Sequence, residues 1–139
     1  REGAVTFTES GTTDRRMFPG LNEDEQLRHK GDLLYPNLFI SAASDHVAVF
    51  VLHAKSADLT HIDCHFLFET YEMEQPGFDC SDAADFWHLV NRQDWAICER
   101  VQQGVTARIH KHGIFSPMED WILDIRHYVT DRIGKFVVD

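Results

Sequence analysis

In the stretch NRQDWAICERVQQG, residues 91–104, apolar residues recur at helical spacing around an aspartate. With each residue advanced by about 100° and Asp94 set to zero, Trp87 falls near about +20°, Val101 near −20°, Val90 near −40°, Cys98 near +40° and Ile97 near −60°. Asp94 therefore sits at the centre of an apolar stripe, flanked by Val90 and Ile97 as candidate pocket-lining residues. Asn91, one turn earlier at about +60°, is the other polar group near that direction. An ionised carboxylate taken out of water is costly unless it is paired, hydrogen-bonded or bound to a metal. Arg92 and Arg100 lie too nearly opposite on the helix to serve. Three roles answer the pattern: a buried acceptor of backbone hydrogen bonds, a metal ligand, or a general acid or base. Spacing alone leaves all three open.

Other residues could ligate metals, but their patterns are poorer. In HIDCH, residues 61–65, alternation along a strand puts His61 and His65 on the face that also carries Asp63, Leu67 and Glu69, which reads as a solvent face. HKH at 110–112 reads as a surface loop pair. Cys64, Cys80 and Cys98 are an odd number at spacings that fit neither a disulfide framework nor a C-x-x-C knuckle, which favours a reducing, cytoplasmic setting.

The elements that must position Asp94 change character halfway along the chain. A possible short strand at Ala4–Thr8 is followed by a long polar stretch holding at most one short helix, capped by Asn22 and running to about Lys30. A connection of this length is either disordered or functional, for example as the cover of a pocket. LLYPNLFISAA, HVAVFVLHAKS and LTHIDCHFLFE then follow one another across short polar joints as an antiparallel meander. Val47, Val49 and Val51 face one side, and Ala48, Phe50 and Leu52 the other. With apolar residues on both faces, the sheet is expected to be covered on both sides or curved around something. Helical pattern takes over from about Ala83 to Gln103, with Ser81 or Asp82 as cap and Gly104 as the stop. SPME at 116–119 supplies a capping box, with Pro117 at the first helical position, for a last helix to about Ile133 that ends at Gly134.

At 139 residues the chain is long enough for one hydrophobic core. It begins at Arg1 rather than methionine and is read as a piece of a longer polypeptide. A net charge of −10 would repel phosphate backbones and anionic lipid, so nucleic acid and membrane surfaces are not expected partners. The longest apolar run, VAVFVLHA at 47–54, is far too short to span a bilayer.

The run FDCSDAADFWHLVNRQDWAICERVQQGV, followed by HGIFSPMEDWILDI, resembles the C-terminal part of the catalytic domain of Rieske non-haem iron oxygenase α subunits. It is most similar to the branch that includes glycine betaine, choline and carnitine oxygenases. GLNEDEQLRHKGDLLYPNLFISAASDHVAVFVLHAKSADLTHIDCHFLFE is similar to the same branch's sheet, so the resemblance covers nearly the whole chain. It implies an α+β helix-grip fold, a curved antiparallel sheet packed on helices, left incomplete in this chain. Residues 1–139 would be the C-terminal portion of the oxygenase domain. It also implies a mononuclear Fe(II) held by two histidines and a carboxylate, the carboxylate being Asp94. Three protein ligands leave positions open for dioxygen and substrate. Asn91 would donate a hydrogen bond to the Asp94 carboxylate.

The family's H-x4-H ligand pair and the C-x-H and C-x2-H pairs of its [2Fe-2S] cluster are not in this sequence. The resemblance therefore places them elsewhere in a longer protein. It further implies a reductase or ferredoxin electron donor, a homotrimer, and hydroxylation or N-demethylation of a small aromatic or quaternary ammonium substrate. A reading of a different class is a non-catalytic helix-grip domain that binds a small hydrophobic ligand, with Asp94 an ordinary buried acid.

Overall fold

The structure is a computed structural model that describes residues 3–109 and 113–136. HKH at 110–112 lies outside the described residues. The chain divides into two units, Arg1–Gln103 and Gly104–Asp139.

The sheet of the first unit is an antiparallel meander in the order β1 (Lys30–Leu34), β2 (Leu38–Ala42), β3 (His46–Ser56) and β4 (Leu59–Phe68). The segment expected as one strand is thus two. Pro36 follows Tyr35 through a cis peptide, and the chain reverses there, since proline has no N–H to continue a ladder. Asn37 ties the reversal to β3, its side-chain amide donating to the Leu52 carbonyl at 2.9 Å and its carbonyl accepting from the Leu52 amide at 2.9 Å.

Register sorts the side chains by face. His46, Ala48, Phe50 and Leu52 of β3 stand opposite Phe68, Phe66, Cys64 and Ile62 of β4. This face meets the long helix α2 (Ser81–Val105), because the Phe50 and Trp87 rings lie 5.4 Å apart. On the other face Val47, Val49 and Val51 are half-buried, while Leu34 and Leu67 are exposed. The buried apolar core is small: Ala43, Ala48, Phe68, Ala83 and Trp87. Ala48 and Ala83 have no accessible surface, so their size sets how closely their elements approach. Ala48→Leu should lower stability by about 1–3 kcal/mol through overpacking, read as a fall in the urea midpoint at unchanged m-value.

The N-terminal segment forms no strand at Ala4–Thr8. It closes a turn in which the Val5 amide donates to the Gly11 carbonyl at 2.9 Å and the Gly11 amide to the Thr8 carbonyl at 3.1 Å. Gly11 has a φ of 78°, and a Cβ there would come within 2.9 Å of the Ala4 Cβ, so only glycine fits. The polar stretch beyond it is built into the fold: the Phe18 amide donates to the Ser44 carbonyl at 2.7 Å. Its helix is shorter than expected, a single 3₁₀ turn at Glu25–Leu27. Its N-cap is Asp24 rather than Asn22, which lies two residues earlier and accepts from the Glu25 amide at 2.9 Å while Glu25 accepts from the Asn22 amide at 3.0 Å.

After β4 comes α1 (Thr70–Met73), a single turn that no sequence pattern announces. Helix α2 is longer at both ends than the expected 83–103. Asp79, rather than Ser81 or Asp82, holds its first turn, accepting from the Ser81 amide at 2.9 Å and from the Ser81 hydroxyl at 2.8 Å. Gly104 does not stop it; its φ is not in the left-handed region, and the helix continues to Val105.

In the second unit the expected capping box is formed. Ser116 Oγ accepts from the Met118 amide at 3.2 Å and Glu119 from the Ser116 amide at 2.6 Å. The 3₁₀ turn Pro117–Glu119 leads into α3 (Asp120–Phe136), which passes the expected end at Ile133 and Gly134.

Candidate functional site

All four residues singled out as a site lie on α2, but the structure does not bury them as expected. Val90 and Asn91 are half-buried, whereas Asp94 is exposed and Ile97 is 58% exposed. The buried residues of the helix, Ala83 and Trp87, both lie in its first half. Further along, the same stripe runs on uncovered, with Val101 57% exposed. The expectation of a carboxylate met from across the core is therefore corrected: among the described residues Asp94 has no hydrogen bond or ion pair, and Asn91 does not bond to it. The acid keeps both oxygens unspent because nothing described lies over this part of the stripe.

Beside that stripe, on the Trp95 and Cys98 side, a groove of about 550 Å³ opens between α2 and the β3–β4 turn. Leu52, Leu59 and Ile62 form its apolar wall, with Asp58 and Glu99 at its edge. His61, which lines it, bonds through Nε2 to Asp63 at 3.0 Å, and His53 bonds through Nε2 to the other oxygen of Asp63 at 3.0 Å. These two imidazoles, His61 foremost, hold the Asp63 carboxyl below its usual range. His65 is exposed, in line with its expected place on the outer face. Among the described residues no three His, Cys, Asp or Glu side chains are grouped to hold a metal ion. Burial pushes the Cys64 thiol up to about 11, so it is no nucleophile near neutral pH.

The titratable cluster that the fold does bury was not anticipated. Ser44 and Asp45, in the joint between β2 and β3, and His46, the first residue of β3, have almost no accessible surface. Trp87 Nε1 donates to His46 Nε2 at 3.1 Å, and an indole N–H can only donate. The His46 proton therefore sits on Nδ1, which donates to Asp45 Oδ1 at 2.9 Å. Thr6 Oγ1 also donates to Asp45 Oδ1. Arg15 closes the cluster: its Nε donates to Asp45 Oδ2 at 3.0 Å, and its two terminal nitrogens donate to the two oxygens of Asp82 at 2.6 and 2.9 Å. The guanidinium also lies 5.3 Å from the centre of the Phe68 ring.

Burial alone would push the Asp45 carboxyl up, but hydrogen bonds from His46, Thr6 and Thr13 outweigh it and hold the group well below the usual 3.8. Because the folded value is depressed, this stabilisation is complete above the unfolded value and is lost as pH falls toward the folded one. Between about pH 5 and pH 2 the Tm of the wild type should therefore fall more steeply than that of Asp45→Asn, as followed by circular dichroism. No local spacing signals this cluster, because its partners lie 30 to 41 residues apart in the chain.

Residues 1–135 match the family described as ring hydroxylating alpha subunit (catalytic domain). Two curated proteins, each named glycine betaine monooxygenase oxygenase subunit, come from Pseudomonas aeruginosa strains UCBPP-PA14 and PAO1. Each is 24% identical to this chain over 133 residues. The match covers 95% of this chain but 31% of each relative, so the chain spans about a third of their length.

Proposed function

The chain belongs to the ring hydroxylating alpha subunit catalytic-domain family, and from that membership we propose that Asp94 is the carboxylate ligand of a mononuclear iron in an oxygenase. The observation that carries the reading is the state of Asp94 itself. Among the described residues it is an exposed acid with no partner, set in the middle of an apolar stripe of α2, where water is a poor long-term neighbour for the residues around it. A metal ion needs an ionised ligand with free lone pairs, and Asp94 offers both oxygens. Two histidine ligands would come from the rest of the domain, since no three His, Cys, Asp or Glu side chains are grouped to hold a metal among the described residues.

When bound, iron in such a site would supply dioxygen activation, with electrons passed from a reductase through a [2Fe-2S] cluster carried elsewhere in the whole protein. The contributions of this chain are positional. Val90 and Ile97 flank the carboxylate and, once covered, would keep water from it. A rotamer change would let the half-buried Asn91 amide donate to an Asp94 oxygen and fix its orientation. Substrate and oxygen would share the site with the metal, and neighbouring subunits of a homotrimer would supply the electron path. The family points to hydroxylation or N-demethylation of a small organic molecule, and the name of the curated relatives favours a quaternary ammonium compound.

One observation favours a second reading. The groove lined by Leu52, Leu59, Ile62 and Trp95 is large enough for a small apolar ligand without any metal. Iron content separates the two. The full-length protein loaded anaerobically with Fe(II) should lose its mononuclear iron on Asp94→Ala while keeping its circular dichroism spectrum. Unchanged iron content would leave the ligand-binding reading standing and remove the metal role of Asp94.

A further inference from the structure

The clamp at the start of α2 lies on the same helix as Asp94, and the side chain it grips most tightly lies on the same stripe. Trp87 precedes Asp94 by seven residues, about 10.5 Å along the axis and about 20° around it. Its ring is held from several directions: Phe7 at 4.2 Å, Phe50 at 5.4 Å, His29 at 6.0 Å between ring centres, and the hydrogen bond to His46. Arg15 grips the first turn through both oxygens of Asp82 and ties that turn to buried Asp45. One contact fixes the rotation of the helix about its axis, and the other fixes its position along that axis.

We propose that Arg15, Asp45, His46 and Trp87 are positioning residues for the Asp94 carboxylate, setting the rotation and axial register of α2 so that the carboxylate falls within bonding range of the iron. The inference rests on the assignment of Asp94 as ligand. Magnitude makes the coupling strong. A side-chain oxygen on a radius of roughly 5–6 Å moves about 1 Å for each 10° of helix rotation. Metal–ligand distances tolerate only about 0.2 Å. A modest loosening at Trp87 thus exceeds what the iron site accepts, even if the helix stays docked.

The test uses the full-length protein. Trp87→Phe keeps an aromatic ring and removes the N–H that His46 accepts; Arg15→Lys keeps the charge and removes the fork. Ferrous-iron retention is measured by chelator competition, and ligand geometry by electron paramagnetic resonance with nitric oxide as probe. Val49→Ala, on the opposite sheet face, serves as a control for general destabilisation. Both clamp variants should retain iron at least tenfold more weakly and change the spectrum, while Val49→Ala lowers Tm and changes neither. If the clamp variants lower Tm but leave iron retention and spectrum as in wild type, the inference is overturned. Should Trp87→Phe not fold, Arg15→Lys decides by the same criterion. Iron retained by Asp94→Ala would remove the ligand assignment and this inference with it. Iron lost there but unaffected by the clamp variants would remove this inference alone.

Discussion

Asp94→Ala in the full-length protein should abolish product formation, by more than 100-fold in kcat, without unfolding this part of the molecule. The scale follows from metal chemistry. Losing a mere hydrogen-bond partner of a ligand costs about 10–100-fold in metal affinity or activity, and loss of the ligand itself must exceed that. The expectation for stability is the opposite. Asp94 is exposed and makes no hydrogen bond or ion pair among the described residues, so within this chain the substitution should change unfolding free energy by no more than about 0.5 kcal/mol. Asp94→Asn keeps the shape and removes the charge, and should bind iron more weakly than wild type. Product assays and iron analysis on the same samples check both halves. Iron content and activity both retained in Asp94→Ala would refute the ligand role.

Arg15→Ala should do the reverse, destabilising the fold by about 3–5 kcal/mol, as expected when one member of a buried ion pair is removed and its partner remains. The asymmetry lies in the two acids that Arg15 serves. The Asp82 side chain is 44% exposed and can turn back to water, so that half of the fork is worth little. The Asp45 side chain has no accessible surface and would be left ionised with only its neutral donors, His46 Nδ1 and the threonine hydroxyls. A paired change, Arg15→Met with Asp45→Leu, should recover much of the loss, because exchanging a buried pair for apolar groups avoids leaving a lone charge. Urea denaturation of the single and double variants measures this. A loss below about 1 kcal/mol for Arg15→Ala would mean that water reaches Asp45 in solution.

The meander and the long helix were legible because periodicity reports burial directly. Alternation placed β3 and β4 to within a residue, and the faces read from Val47–Leu52 are the faces the register shows. Boundaries set by single side chains were less legible. Pro36 turned one expected strand into two, and Asp79 took the capping role that Ser81 and Asp82 were equally suited to fill. The site was half legible. The helical wheel found the stripe on which Asp94 lies, but a wheel assumes that an apolar stripe is covered along its whole length, and this one is buried at Trp87, half-buried at Val90 and Asn91 and exposed from Asp94 on. The buried cluster escaped because its members are scattered. Thr6, Arg15, Asp45 and Trp87 share no spacing, and only the tertiary fold brings them together.

The two ends of β3 differ in how much added chain they can accept. At one end Ser44, Asp45 and His46 are each spent on a different neighbour, Val5, Arg15 and Trp87. One extra residue there would pull all three connections out of place together. At the other end Ala57 and Asp58 form an exposed turn, whose bond from Ser56 to Asp58 is local. Lengthening by insertion is therefore compatible with this fold at the β3–β4 turn and incompatible with it at the β2–β3 joint. A spectroscopic label or affinity tag carried within the chain belongs at Ala57, beside the groove and away from the clamp.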